Sequence, residues 1–113
     1  MLFRSYHIWC DIRDTSKDVE FCSAIDAYLG HLKKLGHIES FTVTRRKFGF
    51  GPSELGDFHI TIRVHDLGKL DDAFHLVASR SGEVERLHGP VWSVAINLKT
   101  ALYRDFPGLE RSK

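Results

Sequence analysis

The chain has 113 residues, 42% apolar and 27% charged, and a net charge of +1 with its histidines neutral. One domain of this size buries roughly 65% of its unfolded surface, so it needs neither a metal nor a disulfide to fold. The near-zero charge argues against a dedicated electrostatic nucleic-acid binder, no apolar run reaches the ~20 residues of a membrane span, and the start, Met1-Leu2-Phe3-Arg4-Ser5-Tyr6, lacks a secretory signal pattern. The expected compartment is the cytoplasm, with the two cysteines, Cys10 and Cys22, as small buried free thiols. Residues 1–109 read as a single domain and 110–113 as a tail, with no internal repeat.

Residues 3–12 predict the first strand. Ile8, Cys10 and Ile12 share one face with Tyr6 and Arg4, while Phe3, Ser5, His7, Trp9 and Asp11 share the other. Thr15 followed by Asp18 resembles a capping box, and a helix is expected from there to about residue 35 on the stripe Cys22, Ile25, Leu29, Leu32. Gly36 suits its C-terminal cap. Residues 38–48 predict a second strand, with Phe41 and Val43 on one face and Thr42, Thr44, Arg46 and Phe48 on the other. Residues 49–57 form a turn-rich connection. It lacks the Gly-Lys-Ser/Thr ending of a phosphate-binding loop, and Phe50 or Glu54 can reach from it over a nearby site.

The most informative stretch is 58–65. Phe58, Ile60, Ile62 and Val64 alternate with His59, Thr61, Arg63 and His65, so one strand has an oily face and a face of titratable groups. Asp66 can cap a second helix with Leu67, Leu70, Phe74 and Val77 on its buried stripe. Ser81-Gly82 interrupts it, a helical turn follows, and Gly89-Pro90 marks another break or helix start. Val91, Val94, Ala95 and Leu98 fit a helical stripe, which predicts helix to about residue 96 and a last strand over 99–106.

The order β-α-β-β-α-β is the ferredoxin-like α+β plan, a four-stranded antiparallel sheet with helices on one face and the first and third strands central. The helices are expected to bury Ile8, Cys10, Phe41, Val43, Phe58, Ile60, Ile62 and Val64. The open face then carries Phe3, His7, Trp9, Thr44, Arg46, Phe48, His59, Thr61, Arg63 and His65, a patch that two copies would cover by packing sheet to sheet.

The element order and the segments FHITIRVHDLGKLDDAF (58–74) and ALYRDFP (101–107) resemble small bacterial proteins of the dimeric α+β-barrel superfamily, and within it an uncharacterised family. The resemblance implies a homodimer whose two sheets form a barrel, with a central cavity in each subunit. It also brings a range of activities: cofactor-free monooxygenases, haem-degrading enzymes, lactone isomerases, polyketide cyclases and stress-responsive proteins. No catalytic motif of those enzymes maps onto this chain.

The leading constellation is His7 and His59 as acid or base, Arg63 as anion clamp and Trp9 as a flat wall, with His65, Thr61, Arg46 and Tyr103 as further ligand-binding candidates. Tyr103 is placed beside His59, and Asp105 on the same face. Such a set suits a small acidic or phenolic ligand and cofactor-free acid–base or oxygenation chemistry. The other reading is a polar sheet face that only dimerises, in a non-catalytic stress-related or protein-interaction module. No metal or cofactor is expected among the seven histidines. None forms a helical HxxxH pair, and His59 and His65 lie about 20 Å apart on one strand. RNA binding is not expected either, because the third strand lacks the stacking aromatics of ferredoxin-like RNA-binding modules.

Overall fold

The structure, a computed structural model, describes residues 4–78 and 82–107, and of 73–78 and 82–85 the backbone only. Strand β1 (Arg4–Ile12) leads through a 3₁₀ turn (Thr15–Lys17) into helix α1 (Asp18–Lys34). Strands β2 (Ser40–Arg45) and β3 (Phe58–Val64), helices α2 (Leu67–Ala78) and α3 (Gly82–Trp92), and strand β4 (Ala95–Arg104) follow. The sheet is antiparallel in the order β2-β3-β1-β4. The ferredoxin-like plan and the central β1/β3 pair are as the sequence predicts.

The barrel is not. The sheet is open, with β2 and β4 as edges that pair with no further strand among the described residues. Four strands are too few to curl closed around their own side chains, which takes about eight. The molecule's shortest dimension is 18 Å, the thickness of one sheet and one helix layer. Among the described residues, only the 46–57 loop lies over part of the other sheet face, at its Trp9–His59 end.

The core lies between sheet and helices. Ile8, Cys10, Ile12, Phe58, Ile60, Ile62 and Val64 meet Phe21, Ile25, Tyr28, Leu29 and Leu32 of α1. Each fully buried aliphatic side chain there contributes ~1.5–3 kcal/mol. Phe41 and Val43 point the same way but are only half-buried, because β2 is an edge. Cys10 is fully buried; Cys22 is only partly so. The α1 stripe is centred on Phe21, Ile25 and Tyr28, leaving Cys22 at its flank.

The helix ends show which local signals operate. Asp14, not Thr15, caps the entry, its Oδ1 accepting from the Ser16 N–H at 3.0 Å and the Ser16 hydroxyl at 2.7 Å. At the exit Gly36 takes φ +81°, and the N–H groups of Gly36 and His37 donate to the Lys33 and Leu32 carbonyls. This is the Schellman closure that a left-handed glycine permits. Asp66 accepts from the Gly68 N–H at 2.7 Å and starts α2 as expected. Leu70 is buried but Leu67 is exposed, while the Phe74 and Val77 side chains lie outside the described residues, as do Phe3 and the tail at 110–113.

The C-terminal third departs most from expectation. Helix α3 runs through Gly89-Pro90 to Trp92, and β4 starts at Ala95, not residue 99, and ends at Arg104. Ala95 pairs with Ile12 and Ile96 with Asp11, whereas Trp9 pairs with Lys99, so Asn97 and Leu98 both lie opposite Cys10. This β-bulge, with Asn97 at φ +58°, interrupts the period-2 alternation and makes the segment mimic a helical stripe. Asp11 fixes it in place. Its Oδ2 accepts from Asn97 Nδ2 at 3.1 Å and its Oδ1 from the Asp57 N–H at 2.8 Å. Both bonds favour the ionised carboxylate and hold the Asp11 pKa below the ordinary range.

Gly56 packs directly on β1. A Cβ there would lie 2.4 Å from the Cys10 carbonyl carbon and oxygen, neither of which can move away. Gly56→Ala is therefore expected to destabilise the fold by about 1–3 kcal/mol, as overpacking against rigid backbone does. Urea unfolding measures this, and an unchanged midpoint would show that the loop is not seated on β1.

Candidate functional site

Strand register builds the site. Across β1 and β3, Trp9 faces His59, His7 faces Thr61 and Ser5 faces Arg63; across β1 and β4, Ser5 faces Tyr103. All are odd-numbered residues, so they project from the open face while their even-numbered neighbours enter the core.

His7 Nδ1 lies 2.8 Å from His59 Nε2, and His7 Nε2 lies 3.0 Å from Ser5 Oγ. Thr61 Oγ1 approaches His59 Nε2 at 3.3 Å. The result is a polar chain Ser5–His7–His59–Thr61 across two strands. The Trp9 and His59 rings are almost parallel, 5° apart with centroids 4.8 Å apart, and Tyr103 meets His7 edge-on at 4.8 Å. Arg63 reaches the Asp105 carboxylate at 3.3 Å. Both partners are well exposed, so that pair adds little stability.

The electrostatics favour neutral imidazoles. Burial holds the His7 pKa below its ordinary value, and the neighbouring positive charges that His59 and Arg63 can carry lower it further. Burial does the same for His59. In the neutral pair one ring donates and the other accepts. A first proton can be shared across the 2.8 Å contact, whereas a second would place two cations side by side. Chemically this is a proton acceptor with a relay behind it and an aromatic wall beside it.

The sequence-predicted residues divide into two groups. His7, His59, Trp9, Thr61 and Tyr103 come together, with Arg63 in the next row. Tyr103 sits against His7, not His59. His65 lies beyond the end of β3, its Nε2 3.2 Å from a Glu39 carboxylate oxygen. Arg46 lies just past β2, where its Nη2 donates to the Pro52 and Leu55 carbonyls at 2.7 and 2.6 Å. It shapes the 46–57 loop and does not present a clamp. Phe48 is in that loop and exposed, not on the sheet. A cleft of about 220 Å³ separates the loop from Trp9 and His59, and Phe50, not Glu54, lines it. The basic run at 45–47 is no uniform patch, since Arg45 pairs with Asp57 at 2.6 Å and Asp18 at 2.8 Å.

Sequence reasoning missed two things. Ser5 was legible as an i, i+2 neighbour of His7 but its bond to that ring was not. A second cavity, about 360 Å³, opens on the helix side of the sheet among Tyr28, His88 and Trp92, and no spacing rule announces it. Among the described residues, no group of three or more His, Cys, Asp or Glu side chains is placed to hold a metal ion, and no helix is long and apolar enough to cross a membrane.

Fold and site together define an open-sheet, ferredoxin-like α+β protein with a histidine pair on the sheet face away from the helices. The chain belongs to a family of unknown function (DUF6614), whose sequence pattern matches residues 3–113. No functionally curated protein is detectably similar in sequence. Solved structures share the fold at low identity. A dimeric ferredoxin-like protein of unknown function from Jannaschia sp. CCS1 superposes with a TM-score of 0.66 at 10% identity, covering 88% of this chain and 96% of that one. A dimeric protein of unknown function and ferredoxin-like fold from Bacteroides fragilis gives 0.63 at 13%, covering 91% and 96%. A dimeric ferredoxin-like protein of unknown function from Thermobifida fusca gives 0.59 at 8%, covering 90% of each.

The lowered histidine pKa values set a sign for pH dependence. Between the folded-state values and the unfolded value of about 6.5, the unfolded chain binds more protons, so stability falls as pH falls through that window. The melting temperature should drop from about pH 7 to about pH 5, and His59→Gln should flatten that slope. Equal slopes in the two proteins would show that the pair is not what titrates.

Proposed function

We propose that the protein acts in the cytoplasm as a homodimer whose open sheet faces meet, and that the His7–His59 pair accepts a proton from a small acidic or phenolic ligand held against Trp9. His59 is the primary base, His7 relays the proton, Arg63 balances the anion and Tyr103 and Thr61 shape the edge. One observation carries this reading: an imidazole pair 2.8 Å apart, walled by an indole, on the sheet face away from the helices. The dimer rests on the thinness of the molecule and on fold relatives described as dimeric.

A second reading has its own support. The polar groups of this face largely satisfy one another, as the Ser5–His7–His59–Thr61 chain and the Arg63–Asp105 pair show. A face of that kind also suits a packed, dry interface with no ligand.

Two measurements separate the readings. Light scattering on the eluting protein should give a dimer, and Trp9→Asp should give a monomer by burying an unpaired charge; a wild-type monomer would sink both readings. A thermal-shift panel of aromatic acids and phenols should then raise the melting point by several degrees, since a ligand at a hundred times its Kd adds ~2.7 kcal/mol. His59→Gln and Arg63→Ala should each remove that shift. A dimer with a flat panel would favour the interaction module.

A further inference from the structure

The helix side of the sheet holds a space that the histidine face does not touch. This cavity of about 360 Å³ lies between α1, α3 and the strands, with Ile8 and Ile62 of the sheet and Leu29 of α1 among its apolar walls. Its size falls in the range of small-molecule pockets. Four polar aromatic side chains, Tyr6, Tyr28, His88 and Trp92, line it. The His88 ring meets Tyr28 edge-on at 5.4 Å and leans against Trp92 at 5.9 Å. Tyr28 and Trp92 line the same cavity, and the Tyr28 hydroxyl has a proton to donate. Burial pushes the Tyr28 pKa up to about 12, so that proton stays in place at neutral pH. Toward β4 the cavity reaches Leu98, which lines it and is 48% exposed, so a path from solvent exists.

The lining decides what can fill this space. Apart from Tyr6, Tyr28, His88, Trp92 and Thr100 the described lining is aliphatic, and that part of the wall offers water no hydrogen-bond partner. Among the described residues no lysine or arginine lines it, which disfavours an anion. Aromatic rings at one end favour a flat partner, and the Tyr28 hydroxyl favours an oxygen acceptor. We propose that this cavity binds a flat, apolar small molecule carrying one hydroxyl or carbonyl oxygen, with its ring beside Trp92 and His88 and its oxygen on the Tyr28 hydroxyl. The site is separate from the sheet-face site and does not depend on it.

The two tryptophans lie on opposite faces of the sheet, which gives a clean readout. In Trp9→Phe, Trp92 is the only indole left. Titrating that protein with 4-phenylphenol should change Trp92 emission saturably, and biphenyl, which lacks the hydroxyl, should bind several-fold more weakly. Adding Tyr28→Phe should abolish that preference. Adding Leu98→Phe, at an exposed edge position that leaves the core intact, should weaken both probes roughly tenfold by filling the mouth. Adding His59→Gln should change neither. The proposal is overturned by a response that stays linear to the solubility limit, by equal binding in Leu98→Phe, or by a response that disappears with His59→Gln, which would assign the binding to the other face.

Discussion

The structure depends on one constraint: a central pair of strands, β1 and β3, with strict alternation and helices on only one side. Even-numbered residues from Ile8 to Val64 fill the core against α1. The register that buries them sends Ser5, His7, Trp9, His59, Thr61 and Arg63 to the other face, because a one-residue slip would exchange the two sets completely. Exposing Ile60 and Ile62 would cost several kcal/mol. The positions of the two histidines are therefore fixed by hydrophobic burial on the far side of the sheet, not by their own 2.8 Å contact. The Asp11 carboxylate and the seating of Gly56 on Cys10 hold the ends of the same strands, locking loop, bulge and sheet together.

Much of this was legible in the chain. The alternation at 58–65 and the parity of residues 4–12 place the right side chains on the right faces without any contact information. Cross-strand register was not legible, and register decides that His7 meets His59 while His65 meets Glu39. Arg46 has the parity of an open-face residue, yet it sits one position past β2, where loop carbonyls compete for its guanidinium and win. The last strand was misread for a physical reason. A bulge at Asn97 inserts one residue, and Val91, Val94, Ala95 and Leu98 then fall at helical spacing although two of them belong to β4. Periodicity reports only the average geometry of a segment, and a single left-handed residue resets it.

The histidine pair shows how competing terms settle. Partial burial disfavours the imidazolium at both positions, and at His7 the charge His59 can carry adds to it. The Arg63 charge lowers the His7 pKa further, and the guanidinium itself pairs with the Asp105 carboxylate at 3.3 Å. Trp9, stacked on His59, removes water from one ring face without offering a competing hydrogen bond. A neutral, orientated imidazole has a lone pair free to accept a proton, while its lowered pKa makes it a weaker base than the same ring in water.

The same alternation gives the sheet two unlike surfaces at no extra structural cost. On β1, Tyr6 and Ile8 border the apolar cavity among the helices, while Ser5, His7 and Trp9 form the polar face. One side presents aliphatic walls and a protonated phenol; the other presents neutral bases and a compensated cation. A molecule suited to one side is poorly suited to the other. An apolar ring gains nothing from Arg63, and an anion finds no cation among the described residues that line the cavity.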